Sequence, residues 1–279
     1  MTEAPTLELR FGEIMQSLLN RSPVELHANC LRPADICFHE FDYSANSPRL
    51  PSIVIKHNDQ SLKLEHVIHL MTSSNAAATT DVEKFDITIR GRPDNSTHEE
   101  NRRFVYSIVA AIKAAGWMRY ISPTSPRVPG AQAGNIDTPD KIAGLYVFSH
   151  PWFDPDYTMP LEQWNKVEGF YDWYFYSSGV HLNLSAIRID TKADPANRGN
   201  YLVSLELKVD DYYWRYYFDT KEEQANWKKL LPAELRKYAE LRAENEARLR
   251  AAGIEIDESY QNPPIEGVEP ILMPAGETP

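Results

Sequence analysis

Hydrophobic and polar residues follow two different periods along the first half of the chain. Apolar residues recur at helical spacing over residues 7–20, which predicts an amphipathic helix there. Alternating patterns then predict strands at 24–30 and 36–43. The most distinct helix is predicted at residues 98–115, where Thr97 and the Glu three residues later form the pattern of a capping box.

The second half reads as a meander of antiparallel strands. Alternation and turn residues predict strands at 169–177, 180–189, 201–209 and 212–218, with Asp210 and Asp211 forming the last turn. A long charged helix is then predicted to run to Gly253, which is placed to end it. Helices and strands are segregated rather than alternating, and this order indicates an α+β protein.

The predicted fold is therefore α+β, with antiparallel sheets flanked by helices and with two halves of similar element order. Residues 122–139 are rich in proline and glycine, and this composition favours a domain boundary. We expect an N-terminal α+β domain at 1–122, a C-terminal α+β domain at 139–262 with the meander and long helices, and an extended tail at 263–279.

Two seven-residue stretches, 170–176 and 212–218, each contain six aromatic residues. Successive side chains of a strand point to opposite faces of its sheet, so neither stretch can bury all its rings on one face. Helices and a proline-rich loop on the two faces would cover most rings. We expect a minority to remain exposed as a binding surface, because exposed Tyr and Trp are typical of protein–protein contacts. The candidate partner-binding residues are Trp152, Phe153, Tyr171, Trp173, Tyr213 and Trp214.

Catalytic chemistry has a weaker basis in this sequence. His150, Asp154 and Asp156 are close along the chain and leave a hydrolase site as an alternative. The prolines beside them favour a rigid loop that packs aromatic rings instead. Common nucleotide-binding, serine-hydrolase and metalloprotease motifs are absent from the sequence, so we predict no enzyme, no cofactor and no metal site.

The net charge of −11 narrows the choice of partner. Broad binding to nucleic acids requires clustered Lys and Arg, and here Asp residues adjoin the aromatic stretches. We therefore expect a protein partner and no nucleic acid, with a glycan- or small-ligand-binding module as another alternative. The sequence has no apolar run of about 20 residues that would cross a membrane.

The two cysteines, Cys30 and Cys37, lie on either side of a turn sequence at 32–35. Flanking alternation places them on facing strands of a hairpin, and we predict a disulfide between them. Disulfides persist in oxidising compartments, so the pair favours such a compartment over a cytoplasmic location.

A set of segments is distinctive in combination: residues 93–96 with His98 and Glu99, residues 150–155, residues 173–176, and residues 253–260 with Pro263 and Pro264. Together they resemble a family of poorly characterised proteobacterial periplasmic proteins found beside type VI secretion effectors. The resemblance spans most of residues 7–265. It implies an immunity or accessory role, in which the protein neutralises or escorts a toxic effector, such as a lipase-type or another periplasm-acting toxin. It also implies attachment to the inner membrane through an N-terminal anchor that this chain lacks.

Overall fold

The computed structural model describes residues 4–31, 36–75 and 81–269. It confirms an α+β fold with mostly antiparallel sheets. The strands are β1 (Thr6–Arg10), β2 (His27–Leu31), β3 (Ile36–Asp42), β4 (Ser52–His57), β5 (Gln60–Leu64), β6 (Val67–Asn75), β7 (Lys84–Ile89), β8 (Met118–Arg119), β9 (Lys141–Ile142), β10 (Leu145–Tyr146), β11 (Phe170–Ser177), β12 (Val180–Asp190) and β13 (Gly199–Val209). The α-helices are α1 (Met15–Arg21), α2 (His98–Ala114), α3 (Leu161–Lys166), α4 (Asp210–Arg215), α5 (Lys221–Ala225) and α6 (Trp227–Ala251).

An eight-stranded antiparallel sheet forms the centre of the fold. Its strand order is β2-β3-β6-β7-β13-β12-β11-β8. Strands β7 and β13 pair across the middle from Phe85↔Leu207 to Ile89↔Val203. The predicted boundary at 122–139 therefore does not separate two sheets, because strands from both predicted domains hydrogen-bond in one.

A second sheet, β1-β4-β5, and helices α1 and α2 lie over one face of the large sheet, which we call the core face. Leu7, Ile53 and Leu64 from the small sheet join Val105 and residues of the large sheet in a single hydrophobic cluster. The capping box of α2 is present, with the Thr97 hydroxyl accepting from the N–H of Glu100. The central strands β7, β12 and β13 alternate along most of their length between this buried face and a partly exposed face, which we call the outer face.

Three predicted elements differ from the structure. Residues 7–20 do not form one helix, because β1 pairs in parallel with β4 before α1 begins at Met15. Residues 212–218 do not form a strand. Asp210 and Asp211 are the first residues of α4, where acidic side chains favour a helix N-terminus, and they do not form a hairpin turn.

The first residues of the predicted tail, 263–269, pack against the rest of the protein. Ile265 and Val268 contact the cluster of Trp214, Trp227 and Leu231, so residues 263–269 lie against α4 and α6. Residues 270–279 lie outside the described ranges. None of the helices within those ranges has the length and apolar character needed to cross a bilayer.

The predicted disulfide is present between Cys30 and Cys37, which face each other across β2 and β3. The predicted turn at 32–35 lies outside the described residues. All five residues of β2 are exposed, so this hairpin extends beyond the packed core and the disulfide joins its two strands.

Candidate functional site

Two of the six aromatic candidates, Tyr171 and Trp173, are fully buried. Both side chains point to the core face because they alternate with Asp172 on β11. Trp164 of α3 stacks on Tyr171 with ring centroids 4.0 Å apart, and Tyr171 donates a hydrogen bond to the carbonyl oxygen of Trp164. The prediction that these rings bind a partner is therefore wrong: they belong to an aromatic stack inside the protein.

Trp152 and Phe153 lie in a short 3-10 helix, Pro151–Phe153, that packs on the same stack. Trp152 is fully buried, and its indole N–H donates to the carbonyl oxygen of Ala133 at 3.0 Å. Phe153 is half-buried and meets Trp173 edge-on, with ring centroids 5.6 Å apart. This loop covers the core, so neither residue is available as predicted for docking.

Tyr213 and Trp214 lie on α4 rather than on an outer strand. Trp214 is buried against Trp227 and Leu231. Tyr213 is half-buried and stacks on His181 with ring centroids 3.8 Å apart. Both rings fix α4 to the molecule, so the structure does not support them as partner-binding residues.

The hydrolase alternative required His150, Asp154 and Asp156 to converge, and they do not. Buried His150 accepts a hydrogen bond at Nδ1 from the N–H of Trp152. Buried Asp154 forms an ion pair with Arg119 at 2.7 Å, whereas exposed Asp156 contacts Lys113. Each side chain has a separate structural partner, which is typical of a rigid loop.

The outer face carries a group of exposed apolar residues that the sequence patterns did not identify. Phe170 and Leu202 are 63% and 45% exposed. The strand register places Ile187 between them, as Phe170↔Ile187 and Ile187↔Leu202. Ile189, 63% exposed, follows two residues along the same face of β12. We call Phe170, Ile187, Ile189 and Leu202 the apolar patch.

Polar side chains border the apolar patch on the next row of the sheet. Asp172, Ser185 and Ser204 face one another across β11, β12 and β13 and are each half-buried. Burial raises the pKa of Asp172 above its ordinary value, although hydrogen bonds from Ser185 and Asn183 act in the opposite direction. An apolar centre with a polar border is typical of a protein contact site.

A further row of charged residues crosses the middle of the sheet. Burial raises the pKa of Asp86, whereas Lys208 and Lys84 outweigh burial and lower the pKa of Glu206. Lys84 lies 2.9 Å from Glu206 and 3.1 Å from Asp86. These charges compensate one another, so we interpret the row as a structural part of the outer face. No three metal-ligating side chains cluster closely enough within the described ranges to hold a metal ion.

The alternation of residues along β11 distinguishes Phe170 from the buried rings of the same strand. Phe170 lies two positions before Asp172 and one before Tyr171, so alternation places it on the polar face of the strand. Tyr171 and Trp173, the rings of this strand that were predicted to bind a partner, occupy the alternate positions and are buried.

Comparisons with protein-family models, curated protein sequences and solved structures find no match to this chain.

Proposed function

We propose that this protein is a non-enzymatic binding protein that contacts another protein through the apolar patch. The observation that carries the proposal is the adjacency of Phe170, Ile187 and Leu202 on one face, with the two outer side chains largely exposed. Soluble proteins seldom leave adjacent large apolar side chains in water, because each forgoes about 1.5–3 kcal/mol of burial.

The charge around the patch indicates the chemistry of the partner. Glu168 and Asp172 lie two residues on either side of Phe170, and the chain as a whole has a net charge of −11. A partner with an apolar centre and a basic border would complement this surface and associate rapidly. Such a partner is a protein rather than a polyanion such as nucleic acid.

We propose a toxic type VI secretion effector as that partner. The family resemblance supports this choice, and the Cys30–Cys37 disulfide supports a periplasmic location. The protein would act sterically, by covering the active site of the effector or holding it in a closed state. Inner-membrane attachment through an additional anchor is part of the same proposal.

Binding to effectors encoded by neighbouring genes tests this function. Isothermal titration of the purified chain should give a dissociation constant of micromolar or below for one such effector. The double variant Phe170→Ser/Leu202→Ser should bind at least about 10-fold more weakly, as expected when a central apolar contact is lost. Leu241→Ser is the matched control, because Leu241 is 44% exposed on α6, away from the patch.

Two results would contradict the proposal. One is that no neighbouring gene product binds at micromolar concentration. The other is that an effector binds the double variant as tightly as it binds the unmodified chain, which would place the contact elsewhere on the surface.

A further inference from the structure

A cavity of about 330 Å³ lies beneath the C-terminal segment, at the opposite end of β11 from the apolar patch. Its floor contains Tyr176 and His181, which face each other across β11 and β12. Trp214 of α4 and Leu235 of α6 form its sides. Residues 261–269 cover it, so the segment predicted as a free tail is one wall of the cavity.

The charged groups that the rest of the protein contributes to the cavity already have partners. Asp210 accepts hydrogen bonds from the Nε2–H of His181 at 2.9 Å and from the hydroxyl of Tyr176 at 3.0 Å. Arg242 donates to the carbonyl oxygen of Ser122 at 2.7 Å. The space therefore suits an apolar occupant, since the other side chains around it are largely apolar or aromatic. They include Tyr120, Pro123, Trp214, Leu235 and Ala239.

Hydrogen bonds anchor the C-terminal segment as far as Asn262. The N–H of Asp257 donates to the carbonyl oxygen of Arg127 at 2.7 Å. The hydroxyl of Tyr260 accepts from the N–H of Ile121 at 2.8 Å. The side-chain amide of Asn262 donates to the carbonyl oxygen of Ile121 at 2.7 Å. These contacts fix the chain up to the point where it reaches the cavity.

Beyond Asn262 the segment has few polar contacts. The two prolines that follow have no N–H to donate. Among the described residues, one hydrogen bond joins residues 263–269 to the rest of the protein. It runs from the hydroxyl of Tyr176 to the carbonyl oxygen of Pro264 at 3.4 Å, which is long, and the same hydroxyl donates to Asp210 at 3.0 Å. Hydrogen bonding therefore contributes little to holding this part of the segment in place.

Two apolar side chains hold residues 263–269 instead. Ile265 and Val268 pack on the cluster of Trp214, Trp227 and Leu231. Both side chains are half-buried, and the cavity remains open beside them. The segment therefore fills its site only in part. We call the surface of these three cluster residues, together with the cavity, the groove.

The groove and its occupant have the chemistry of peptide recognition. Proline-containing extended segments bind aromatic-lined grooves because proline is already restricted in conformation before it binds. A segment tethered beside its groove has an effective concentration of the order of mM, so it remains bound even when its intrinsic affinity is low. A separate segment that fills the groove more completely would make more contacts and displace it.

We propose that residues 263–269 are an intramolecular occupant of a peptide-binding groove, and that an extended segment of a partner protein displaces them. The partner segment has proline followed by two apolar side chains at least as large as Ile265 and Val268. The C-terminal segment separates from the protein after Asn262, where its hydrogen bonds end. This groove does not include the apolar patch, and the inference does not rest on the contact proposed there.

The test compares the unmodified full chain with the full-length double variant Ile265→Asp/Val268→Asp, which we call the released variant. The probe is a synthetic peptide of residues 261–269, and the control peptide carries both Asp substitutions. Isothermal titration of the released variant with the probe should give a dissociation constant below about 1 mM. The unmodified chain should bind the probe at least about 10-fold more weakly, because its own segment competes. The control peptide should bind neither protein.

Further substitutions in the released variant locate the binding. Leu235→Ser, in the side of the cavity, should weaken binding of the probe at least about 10-fold. Leu241→Ser is the matched control, because Leu241 is 44% exposed on the same helix and does not line the cavity. Phe170→Ser/Leu202→Ser should leave binding of the probe unchanged, so this proposal and the proposed function fail independently.

Hydrogen exchange of the unmodified chain gives a measurement that needs no substitution. The N–H of Val268 donates to the carbonyl oxygen of Ile265 at 3.1 Å, within the part that we propose is displaceable. The N–H of Asp257 lies in the anchored part. The protection factor of Val268 should therefore be at least about 10-fold lower than that of Asp257.

The proposal is overturned if the released variant does not bind the probe at about 10 mM, or if it binds the control peptide or the unmodified chain binds the probe equally well. A released variant that no longer folds, or equal protection of Val268 and Asp257, would show that the segment is a fixed part of the core and would also overturn it. Sedimentation that shows a dimer of the unmodified chain and a monomer of the released variant would assign the groove to a second copy instead of a partner.

Discussion

Arg127 and Glu246 form a two-pronged ion pair that joins the proline-rich segment to α6. Nε and one terminal nitrogen of Arg127 each donate to a different carboxylate oxygen of Glu246 at 2.8 Å. The backbone N–H of Arg127 adds a third hydrogen bond at 3.0 Å. Glu246 is 2% exposed, so this pair fixes the long helix to the segment that was predicted to be a domain boundary.

Replacing Glu246 with Gln should destabilise the protein by about 2–3 kcal/mol, because Arg127 loses its charged acceptor. Urea unfolding measures the change. Glu244→Gln is the control, since Glu244 is exposed two residues before Glu246 and its substitution should change stability by less than about 0.5 kcal/mol. Equal effects of the two substitutions would show that the ion pair contributes no specific stability.

The same pair should give a pH dependence at acid pH. Burial alone would raise the pKa of Glu246, but the hydrogen bonds from Arg127 hold it below its ordinary value. The folded state therefore releases this proton more readily than the unfolded state. Its stabilising effect is present above the ordinary glutamate pKa and is lost as pH falls through the lower folded value. Unfolding curves of Glu246→Gln should lack this component.

His150 should make stability fall between pH 7 and pH 4. Burial lowers its pKa to about 4, and the opposing attraction of Asp140 is smaller. The unfolded chain binds a proton near pH 6.5 that the folded chain does not, so protonation favours unfolding by at most about 3 kcal/mol at pH 4. The variant His150→Asn retains an acceptor for the N–H of Trp152 and does not titrate. Its stability should decline less over this range in urea unfolding, and a parallel decline would contradict the assignment.

Two glycines of the 3-10 helix Gly130–Asn135 should respond differently to alanine. A Cβ on Gly130 would lie 2.8 Å from the side chain of Asp154, which is buried, paired with Arg119 and hydrogen-bonded to the Gly130 N–H. Gly130→Ala should therefore cost about 1–3 kcal/mol of unfolding free energy. Gly134 has open space at the same point, and Gly134→Ala should be neutral or slightly stabilising. Thermal unfolding of both variants distinguishes these outcomes.

Removing the disulfide should loosen one hairpin. The Cys30–Cys37 disulfide closes a short loop, so in the chain-entropy model it contributes about 2–3 kcal/mol to the free energy of unfolding. Because β2 is exposed along its whole length, that energy stabilises the hairpin rather than the core. In Cys30→Ser/Cys37→Ser, hydrogen exchange should accelerate in β2 and the facing part of β3. Protection in β12 and β13 should stay unchanged, and a loss there would show that the hairpin supports the whole sheet.

Most strands could be predicted from the sequence because apolar and polar residues alternate along a strand whose sheet has one buried face. Val203, Leu205 and Leu207 are buried while Ser204 and Glu206 are half-exposed, as the period predicts. The capping box at Thr97 located α2 for an equally local reason. The predicted strand 212–218 failed because aromatic residues favour strands only on average. Tertiary contacts of Trp214 with Trp227 decided in favour of a helix.

The sites required information that no local pattern contains. Phe170 is exposed because nothing covers its end of the sheet within the described residues, and alternation alone does not reveal what covers a face. The cavity brings together Tyr120, His181, Trp214 and Arg242 from four distant segments. Only the register of the sheet and the path of the C-terminal segment place these residues around one space.

The pairing of β7 with β13 also has a consequence for synthesis of the chain. Residue 85 finds its partner only when residue 207 has been made, so the sheet closes late and through contacts distant in sequence. A fragment that ends near residue 122 would leave β7 as an open hydrophobic edge, which invites aggregation. Expression of the first half alone should therefore give insoluble protein, whereas co-expression with the second half offers β7 its natural neighbour.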